Sequence, residues 1–296
     1  MNKLGRVLTA MVTPFKENGE VDYEQAKKLA SALIDSGCDG VVVAATTGEA
    51  PTLTWEEELR LFKEVKSAVG DRATIVAYTG SNSTAEAVEA TEGAEKIGVD
   101  ACLSVVPYYN RPTQEGIYQH FKTIAEATSL PIIMYNIPSR VVVNMTPDTI
   151  VRLSQIDNIV GVKEANGDMA HVAQVISNAR EGFNIWSGND NDTFLIMTLG
   201  GYGTIGVVTH LVGKQVRKMM ELVLDNNVEE AAAIHRHLVP LVNVLFIQPN
   251  PGPVKYALNH VGMRVGNPRL PLLPPDEKAG AAIIETLKEY TIDIKP

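Results

Sequence analysis

The stretch Ile159-Val160-Gly161-Val162-Lys163-Glu164 decides the fold class of this chain. Its apolar and small residues predict a short strand buried on both faces, which is typical of a parallel sheet covered by helices. Lys163 lies at the C-terminal end of that strand, where α/β proteins place their reactive groups. Two interpretations are open for it: a charge that reaches water or pairs with Glu164, and a nucleophile that forms a Schiff base.

Seven similar apolar runs occur along the chain, and segments with the 3.6-residue period of amphipathic helices alternate with them. The eight runs cover residues 7–12, 41–45, 74–78, 101–106, 132–135, 159–162, 183–186 and 204–208. The helical segments cover residues 23–35, 55–68, 84–97, 116–127, 147–153, 169–178, 191–199 and 212–224. Eight strand–helix units in series predict an α/β protein with a closed parallel (β/α)8 TIM barrel over residues 1–226; an open doubly wound sheet is the alternative.

The C-terminal part of the chain follows a different pattern. Helical periodicity continues at residues 229–246, 253–261 and 275–289 without strands between them. These segments are joined by turns rich in proline and glycine, such as Gln248-Pro249-Asn250-Pro251-Gly252-Pro253. We therefore expect a C-terminal helical region over residues 227–296, appended to the barrel.

Composition and charge argue against several classes of protein. The net charge is −9, whereas a nucleic-acid-binding protein usually presents a basic face. No apolar stretch approaches the roughly 20 residues of a membrane span, and Met1–Arg6 lacks the apolar core of a signal peptide. Cys38 and Cys102 have neither metal-site nor disulfide-framework spacing. These features predict a cytoplasmic protein that binds neither nucleic acid nor membrane.

Polar side chains occur at the C-terminal ends of several predicted strands. The second run ends in Thr46-Thr47-Gly48-Glu49, whose N–H and O–H groups suit a carboxylate, although a plain strand-to-helix turn is the alternative. Tyr109 and Tyr135 follow the fourth run and end the fifth, and either could simply anchor the core with its hydroxyl at the rim. Arg140 is either a solvated charge or a bidentate partner for a substrate carboxylate.

The combination of these residues favours a nucleophilic Lys163. An ordinary lysine has a pKa near 10.4, so a neutral amine at pH 7 requires burial or a nearby proton acceptor. Tyr135 can donate and accept protons as a carbinolamine forms and dehydrates. The six histidines show no ligand spacing, which argues against a metal-dependent aldolase. The glycine-rich Gly200-Gly201-Tyr202-Gly203 precedes the eighth strand instead of following it, which argues against a nucleotide site.

The chain resembles the dihydrodipicolinate synthase family of pyruvate-dependent Schiff-base aldolases over nearly its whole length. Four motifs carry the resemblance, in the family's order and spacing: Gly48-Glu49 after the threonine pair, Tyr108-Tyr109-Asn110-Arg111-Pro112, Tyr135-Asn136-Ile137-Pro138-Ser139-Arg140 and Gly161-Val162-Lys163-Glu164. The resemblance implies condensation of pyruvate with L-aspartate 4-semialdehyde to 4-hydroxy-tetrahydrodipicolinate, the first committed step of diaminopimelate and lysine biosynthesis. It implies no metal and no organic cofactor.

The resemblance also implies catalytic roles. Lys163 would form an imine with C2 of pyruvate, and Tyr135 would shuttle protons to and from that centre. Thr47 and Tyr109 would complete a hydroxyl relay to solvent. In this family the Tyr109 position reaches across a dimer interface into the neighbouring site, and the assembly is a homotetramer built as a dimer of dimers.

Substrate-binding roles follow from the same resemblance. The amides of Thr46 and Thr47 would hold the pyruvate carboxylate, and Arg140 would hold the carboxylate of the semialdehyde. Gly188 and Ile205 match positions that line the pocket.

Two other functions stay open, and lysine sensitivity is a separate question. A sugar-acid aldolase of the N-acetylneuraminate or 2-keto-3-deoxygluconate type shares the lysine and tyrosine, but such relatives tend not to carry Pro138-Ser139-Arg140. A barrel that binds a small molecule without catalysis would be indicated by loss of Lys163 or Tyr135.

Lysine-sensitive members of the family carry histidines where this chain has Trp55 and Glu58, so we expect weak or absent inhibition by lysine.

Overall fold

The computed structural model describes residues 4–296 and contains eight short strands. They are β1 (Val7–Ala10), β2 (Gly40–Val43), β3 (Thr74–Tyr78), β4 (Ala101–Val105), β5 (Ile132–Asn136), β6 (Ile159–Glu164), β7 (Asn184–Ser187) and β8 (Gly203–Gly206). The strands form one closed barrel in sequence order, and the pairs are parallel. The predicted TIM barrel is therefore confirmed. Of the segment predicted to lack a signal-peptide core, residues 1–3 lie outside the described part.

Helices alternate with the strands, and three more follow the barrel. They are α1 (Tyr23–Asp35), α2 (Trp55–Val69), α3 (Thr84–Ile97), α4 (Gln114–Glu126), α5 (Pro138–Val141), α6 (Pro147–Leu153), α7 (Met169–Asn178), α8 (Thr193–Thr198), α9 (Thr209–Leu224), α10 (Val228–Leu245), α11 (Gly252–His260) and α12 (Glu277–Leu287). The sequence pattern did not predict α5, because one helical turn is too short to show a 3.6-residue period. No helix within residues 4–296 is long and apolar enough to cross a membrane.

Side-chain caps explain where several helices begin. Thr54 and Glu57 form a reciprocal capping box at the start of α2. The side chains of Thr113, Thr146 and Asp168 accept backbone N–H groups at the starts of α4, α6 and α7. Each of these caps pairs an N–H group that would otherwise lack a partner in the first helical turn.

Contacts divide the chain into two compact units. One comprises Val76–Ile205 with the N-terminal residues up to Arg6, and the other comprises Val7–Ile75 and Gly206–Pro296. The division into a barrel over residues 1–226 and a helical region over residues 227–296 stays a prediction.

Strand β6 contains a bulge that orients its reactive end. Ile132 pairs with Ile159, but Ile133 pairs with Gly161, so Val160 is an extra residue in the strand. A Cβ atom at Gly161 would lie 2.3 Å from the carbonyl oxygen of Asn184, so only glycine lets β7 approach this closely. After the bulge, Tyr135 pairs with Lys163 and Asn136 pairs with Glu164.

The barrel strands are buried on both faces, and one buried histidine beside them is paired through both of its ring nitrogens. His210, in the first turn of α9, is fully buried. Its Nε2 accepts the Val12 N–H at 3.1 Å, and its Nδ1 lies 2.8 Å from the Val207 carbonyl oxygen. Nε2 must therefore be an acceptor and Nδ1 a donor, so the imidazole of His210 is neutral. Burial lowers the pKa of His210 to about 4.

We predict that His210 makes the fold sensitive to mild acid. The folded pKa of about 4 lies below the ordinary histidine pKa of 6.5, so the unfolded chain binds more protons between these two values. Stability is therefore complete above pH 6.5 and falls as pH drops towards 4, by on the order of 3 kcal/mol for this residue. Thermal unfolding of the wild type and of His210→Gln between pH 7.5 and 4.5 measures the effect. The variant should be less stable at pH 7.5 but should show a shallower pH dependence; equal slopes would contradict the assignment.

Candidate active site

Lys163 occupies the C-terminal end of β6 and is almost completely buried, with 4% of its surface exposed. Burial is the main cause that lowers its pKa to about 7; the Asp190 carboxylate opposes this shift, and the Arg140 cation contributes to it. A pKa of about 7 leaves roughly half of the lysines neutral at pH 7, roughly a thousandfold more than at the ordinary value. The side chain is therefore a competent nucleophile at neutral pH.

Tyr135 lies beside the amine. The Lys163 Nζ atom is 4.2 Å from the centroid of the tyrosine ring, and the ring itself is buried. The face of an aromatic ring attracts a cation, so the phenol stabilises the protonated amine or an iminium that replaces it. The structure thus places the Tyr135 ring against the Lys163 amine, and the exchange of protons between the two residues stays a prediction.

Gly188 leaves space for the lysine side chain. A Cβ atom at this position would lie 3.2 Å from the Lys163 Cε atom and 2.8 Å from the Ala165 Cβ atom. A larger residue would therefore require Ala165 and the lysine side chain to shift. Ile205, the other predicted pocket residue, is buried in β8.

Glu164 does not pair with Lys163. Successive side chains of a strand point to opposite faces, so the two neighbours diverge. The Glu164 carboxylate accepts hydrogen bonds from the side chain of Asn136 at 2.9 and 3.0 Å and from the N–H of Asn166 at 3.0 Å. The interpretation of Lys163 as one half of a pair with Glu164 is therefore wrong.

Asp190 is a buried acid near Lys163 that the sequence reasoning missed. It follows β7 by three residues, so reading the end of that strand as closely as the others could have identified it. Its negative charge favours the protonated form of the lysine, as it would favour a cationic iminium at the same place.

Two predicted residues lie on more exposed loops. Arg140 is on the short helix α5 and is exposed, which suits a guanidinium that meets an incoming anion. Tyr109 is 91% exposed and its backbone has a φ of 70°. A left-handed tyrosine is uncommon and strained, so the loop holds this side chain outward at an energetic cost. Tyr109 is thus not buried in a site of its own chain.

The threonine turn after β2 lies in the other unit. Hydrogen bonds from side chains of that same unit hold the turn in place. Thr46 is half-buried and Thr47 is buried. Asn250 donates from Nδ2 to the Thr47 hydroxyl at 2.9 Å. The Thr13 hydroxyl donates to the Gly48 carbonyl at 2.6 Å. Because the Thr47 oxygen accepts the amide hydrogen of Asn250, its own hydrogen is free to be donated elsewhere.

A buried ion pair holds the same turn. Glu49, with a left-handed φ of 63°, accepts from Lys255 Nζ at 2.6 Å and from the Arg269 N–H at 2.8 Å. Burial lowers the pKa of Lys255 to about 8, although the Glu49 carboxylate opposes the shift. Removal of one partner from a buried pair of this kind costs about 3–5 kcal/mol. The strained conformation at Glu49 is therefore stabilised by charge.

Within residues 4–296, no cluster of three or more His, Cys, Asp or Glu side chains could hold a metal ion.

Comparison with known proteins gives a consistent assignment. Residues 3–290 match the model of the Dihydrodipicolinate synthetase family. A 4-hydroxy-tetrahydrodipicolinate synthase from Dehalococcoides mccartyi (strain ATCC BAA-2266 / KCTC 15142 / 195) is 60% identical over 294 residues, which are 99% of each chain.

Solved structures agree with the sequence comparison. A DHDPS from Cyanidioschyzon merolae with lysine bound is 44% identical, with a TM-score of 0.95 over 97% of this chain and 98% of that chain. A chloride-inhibited dihydrodipicolinate synthase from Acinetobacter baumannii complexed with pyruvate is 39% identical, with a TM-score of 0.94 over 97% of this chain and 99% of that chain. With a buried lysine against a tyrosine at the end of β6 and these similarities along its length, the chain belongs to the dihydrodipicolinate synthetase family.

Proposed function

We infer that this chain condenses pyruvate with L-aspartate 4-semialdehyde to give 4-hydroxy-tetrahydrodipicolinate, the reaction for which its curated relatives are named. The observation that carries the inference is the buried Lys163, whose amine is substantially neutral at pH 7 and lies against Tyr135. The product is a precursor of diaminopimelate and lysine. The Acinetobacter baumannii relative complexed with pyruvate supports the choice of the first substrate.

The first half of the reaction follows from the chemistry of the amine. The neutral Lys163 attacks C2 of pyruvate, and loss of water from the carbinolamine leaves an imine. Tyr135 supplies and removes the protons of these steps. The cationic imine makes the pyruvate methyl acidic, and loss of one of its protons gives an enamine. Asp190 stabilises the cationic stage by its charge.

The second half forms the new carbon–carbon bond. The enamine carbon attacks the aldehyde of the semialdehyde, while Arg140 holds that substrate's carboxylate through a bidentate, charge-assisted contact. Cyclisation and release then free Lys163. A sugar-acid aldolase would need amides and hydroxyls at this position instead, because its second substrate carries hydroxyl groups.

The remaining site residues are assigned by family membership and by their surroundings. We propose that the amides of Thr46 and Thr47 hold the pyruvate carboxylate. We also propose that the Thr47 hydroxyl passes protons towards solvent, since Asn250 leaves its hydrogen free to donate. Gly188 and Ile205 line the pocket in this proposal.

We further propose that Tyr109 completes the relay in a neighbouring subunit and that the enzyme is a homotetramer. An exposed aromatic side chain on a strained loop supports this role, because such residues commonly mark protein interfaces.

The cytoplasm is the proposed location. Cys38 and Cys102 are free and buried, and burial raises the pKa of their thiols to about 11 and about 12, as suits unreactive cysteines in a reducing compartment.

We predict that borohydride reduction in the presence of pyruvate adds a pyruvate-derived mass to Lys163. The initial rate of trapping should rise with pH through about 7 and level off above 8, because the neutral amine is the nucleophile. Intact-mass analysis with peptide mapping measures the adduct, and Lys163→Arg is the matched control, since it keeps the charge without a nucleophilic amine.

Failure of the wild type to form an adduct would exclude every Schiff-base mechanism. Cleavage of 2-keto-3-deoxygluconate at a higher kcat/KM than that of the condensation would instead favour the sugar-acid aldolase.

We predict that Arg140→Gln raises the KM for L-aspartate 4-semialdehyde about 10- to 100-fold, the range expected for loss of a hydrogen bond to a charged group. The KM for pyruvate should change little. Since Arg140 lowers the pKa of Lys163, the pH midpoint of pyruvate trapping should also move upward. Arg140→Lys keeps the charge and should leave that midpoint in place. A change confined to the KM for pyruvate would contradict the proposed role of Arg140.

We predict that L-lysine inhibits the enzyme weakly or not at all. Trp55 and Glu58 stand where lysine-sensitive members of the family have histidines, and burial together with Glu57 raises the pKa of Glu58 to about 8. Steady-state rates with increasing L-lysine test this, with Glu58→His as a variant that introduces an imidazole. An inhibition constant below the millimolar range for the wild type would show that the prediction is wrong.

A further inference from the structure

The carboxylate of Glu164 is buried on the face of β6 opposite to Lys163, with 2% of the residue exposed. Both of its oxygens accept hydrogen bonds from Asn136 on the neighbouring strand, and one also accepts the N–H of Asn166. His171 Nε2 lies 3.2 Å from the other oxygen, although its orientation does not make a hydrogen bond. A buried carboxylate is costly unless such donors surround it, so its position is tightly fixed.

Asn136 is the link between this carboxylate and the rest of the unit, and it is completely buried. Its Nδ2 also donates to the Asn144 side-chain oxygen at 2.7 Å, and its own Oδ1 accepts the Met145 N–H at 3.1 Å. An asparagine amide has two hydrogens and one carbonyl oxygen. All of these are engaged, with one hydrogen directed at Glu164 and the other at Asn144.

The segment between Asn136 and Asn144 is the loop that carries Arg140. It contains the single turn α5. That turn is followed by Val142, whose φ of 70° is left-handed. One end continues directly from β5, and the Asn136 carbonyl accepts the N–H of Ala165, the residue that follows β6, at 2.9 Å. The other end is tied at Asn144 and Met145. With both ends fixed to one asparagine, so short a loop has little freedom left.

We propose that Asn136 and Glu164 form a positioning pair that holds the Arg140 loop in register with the strand of Lys163, and so sets recognition of the second substrate's carboxylate. The inference rests on the proposed function of Arg140. Neither residue of the pair touches substrate in this proposal. Their effect passes through the loop to the guanidinium.

The proposal explains why two neighbouring residues on one strand are both ionisable and both buried. Lys163 is the nucleophile, and Glu164 ties the loop of the second-substrate cation to the same strand. A displacement of about 1 Å in a positioning group can cost on the order of 100-fold in rate. Because the Lys163 nucleophile and the loop of the Arg140 cation are both attached to β6, such displacement is limited.

Asn144→Ala tests the link most directly. Asn144 is exposed, and the change removes one acceptor for Asn136 while the backbone contact between Gln114 and the Asn144 carbonyl, 2.8 Å long, remains possible. We expect a three- to tenfold rise in the KM for L-aspartate 4-semialdehyde. The KM for pyruvate and the rate of borohydride trapping should stay unchanged. Glu164→Gln should act in the same direction, with an additional loss of thermal stability.

A double-mutant cycle separates positioning from a merely structural role. If the pair acts through Arg140, Asn144→Ala should raise the KM for the semialdehyde no further in an Arg140→Gln background. An equal rise in both backgrounds would overturn the proposal. So would unchanged KM values in Asn144→Ala.

Asn158→Ala is the matched control, just before the other end of β6. Asn158 precedes β6 at its other end and donates to the carbonyls of Ala125 and Thr128, each at 2.9 Å. Its replacement should lower the melting temperature and leave every KM unchanged; a rise in the KM for the semialdehyde here would overturn the proposal, because any weakening of β6 would then suffice. An Arg140→Gln variant with normal KM would instead refute the proposed role of Arg140, and the positioning of its loop would fall with it.

Discussion

Desolvation of one amine is the constraint on which the site depends. A lysine in water holds its proton at neutral pH, and burial at the end of β6 removes the solvent that stabilises the charge. The same burial would destabilise the fold if nothing accommodated the charged form. Asp190 and the face of the Tyr135 ring provide that accommodation. The environment thus tolerates both the neutral nucleophile and a cationic intermediate.

A buried carboxylate holds one backbone segment in each of the two units. Glu49 and Lys255 fix the turn that follows the threonine pair, and Glu164 and Asn136 engage the loop that carries Arg140. In each case a buried carboxylate with several donors stabilises a backbone segment that contains a left-handed residue. Electrostatic preorganisation of this kind reduces the rearrangement needed when charge develops during the reaction.

The sequence was sufficient to predict the barrel, and it placed the candidate site residues at the ends of strands, because both follow from local patterns. Each buried strand is a short apolar run, each barrel helix of more than one turn has its own period, and parallel strands place their C-terminal ends together. Lys163 and Tyr135 could therefore be identified from strand ends alone. The interpretation of Glu164 as a partner for Lys163 failed, since the pairing depends on which face each side chain occupies. The contacts of Glu164 with Asn136 and of Asn250 with Thr47 connect residues that no local pattern relates.

The bulge at Val160 determines which face of β6 carries the Lys163 side chain. A pleated strand alternates its side chains, so the parity of the residue count along β6 determines which of two adjacent ionisable groups faces the tyrosine. The extra residue changes that parity between Ile159 and Gly161. If β6 paired regularly from Ile159 without the bulge, Lys163 would lie opposite Asn136, and its amine would face away from Tyr135. The side chain that faces Tyr135 therefore depends on the pairing register of β6 as well as on the identities of its residues.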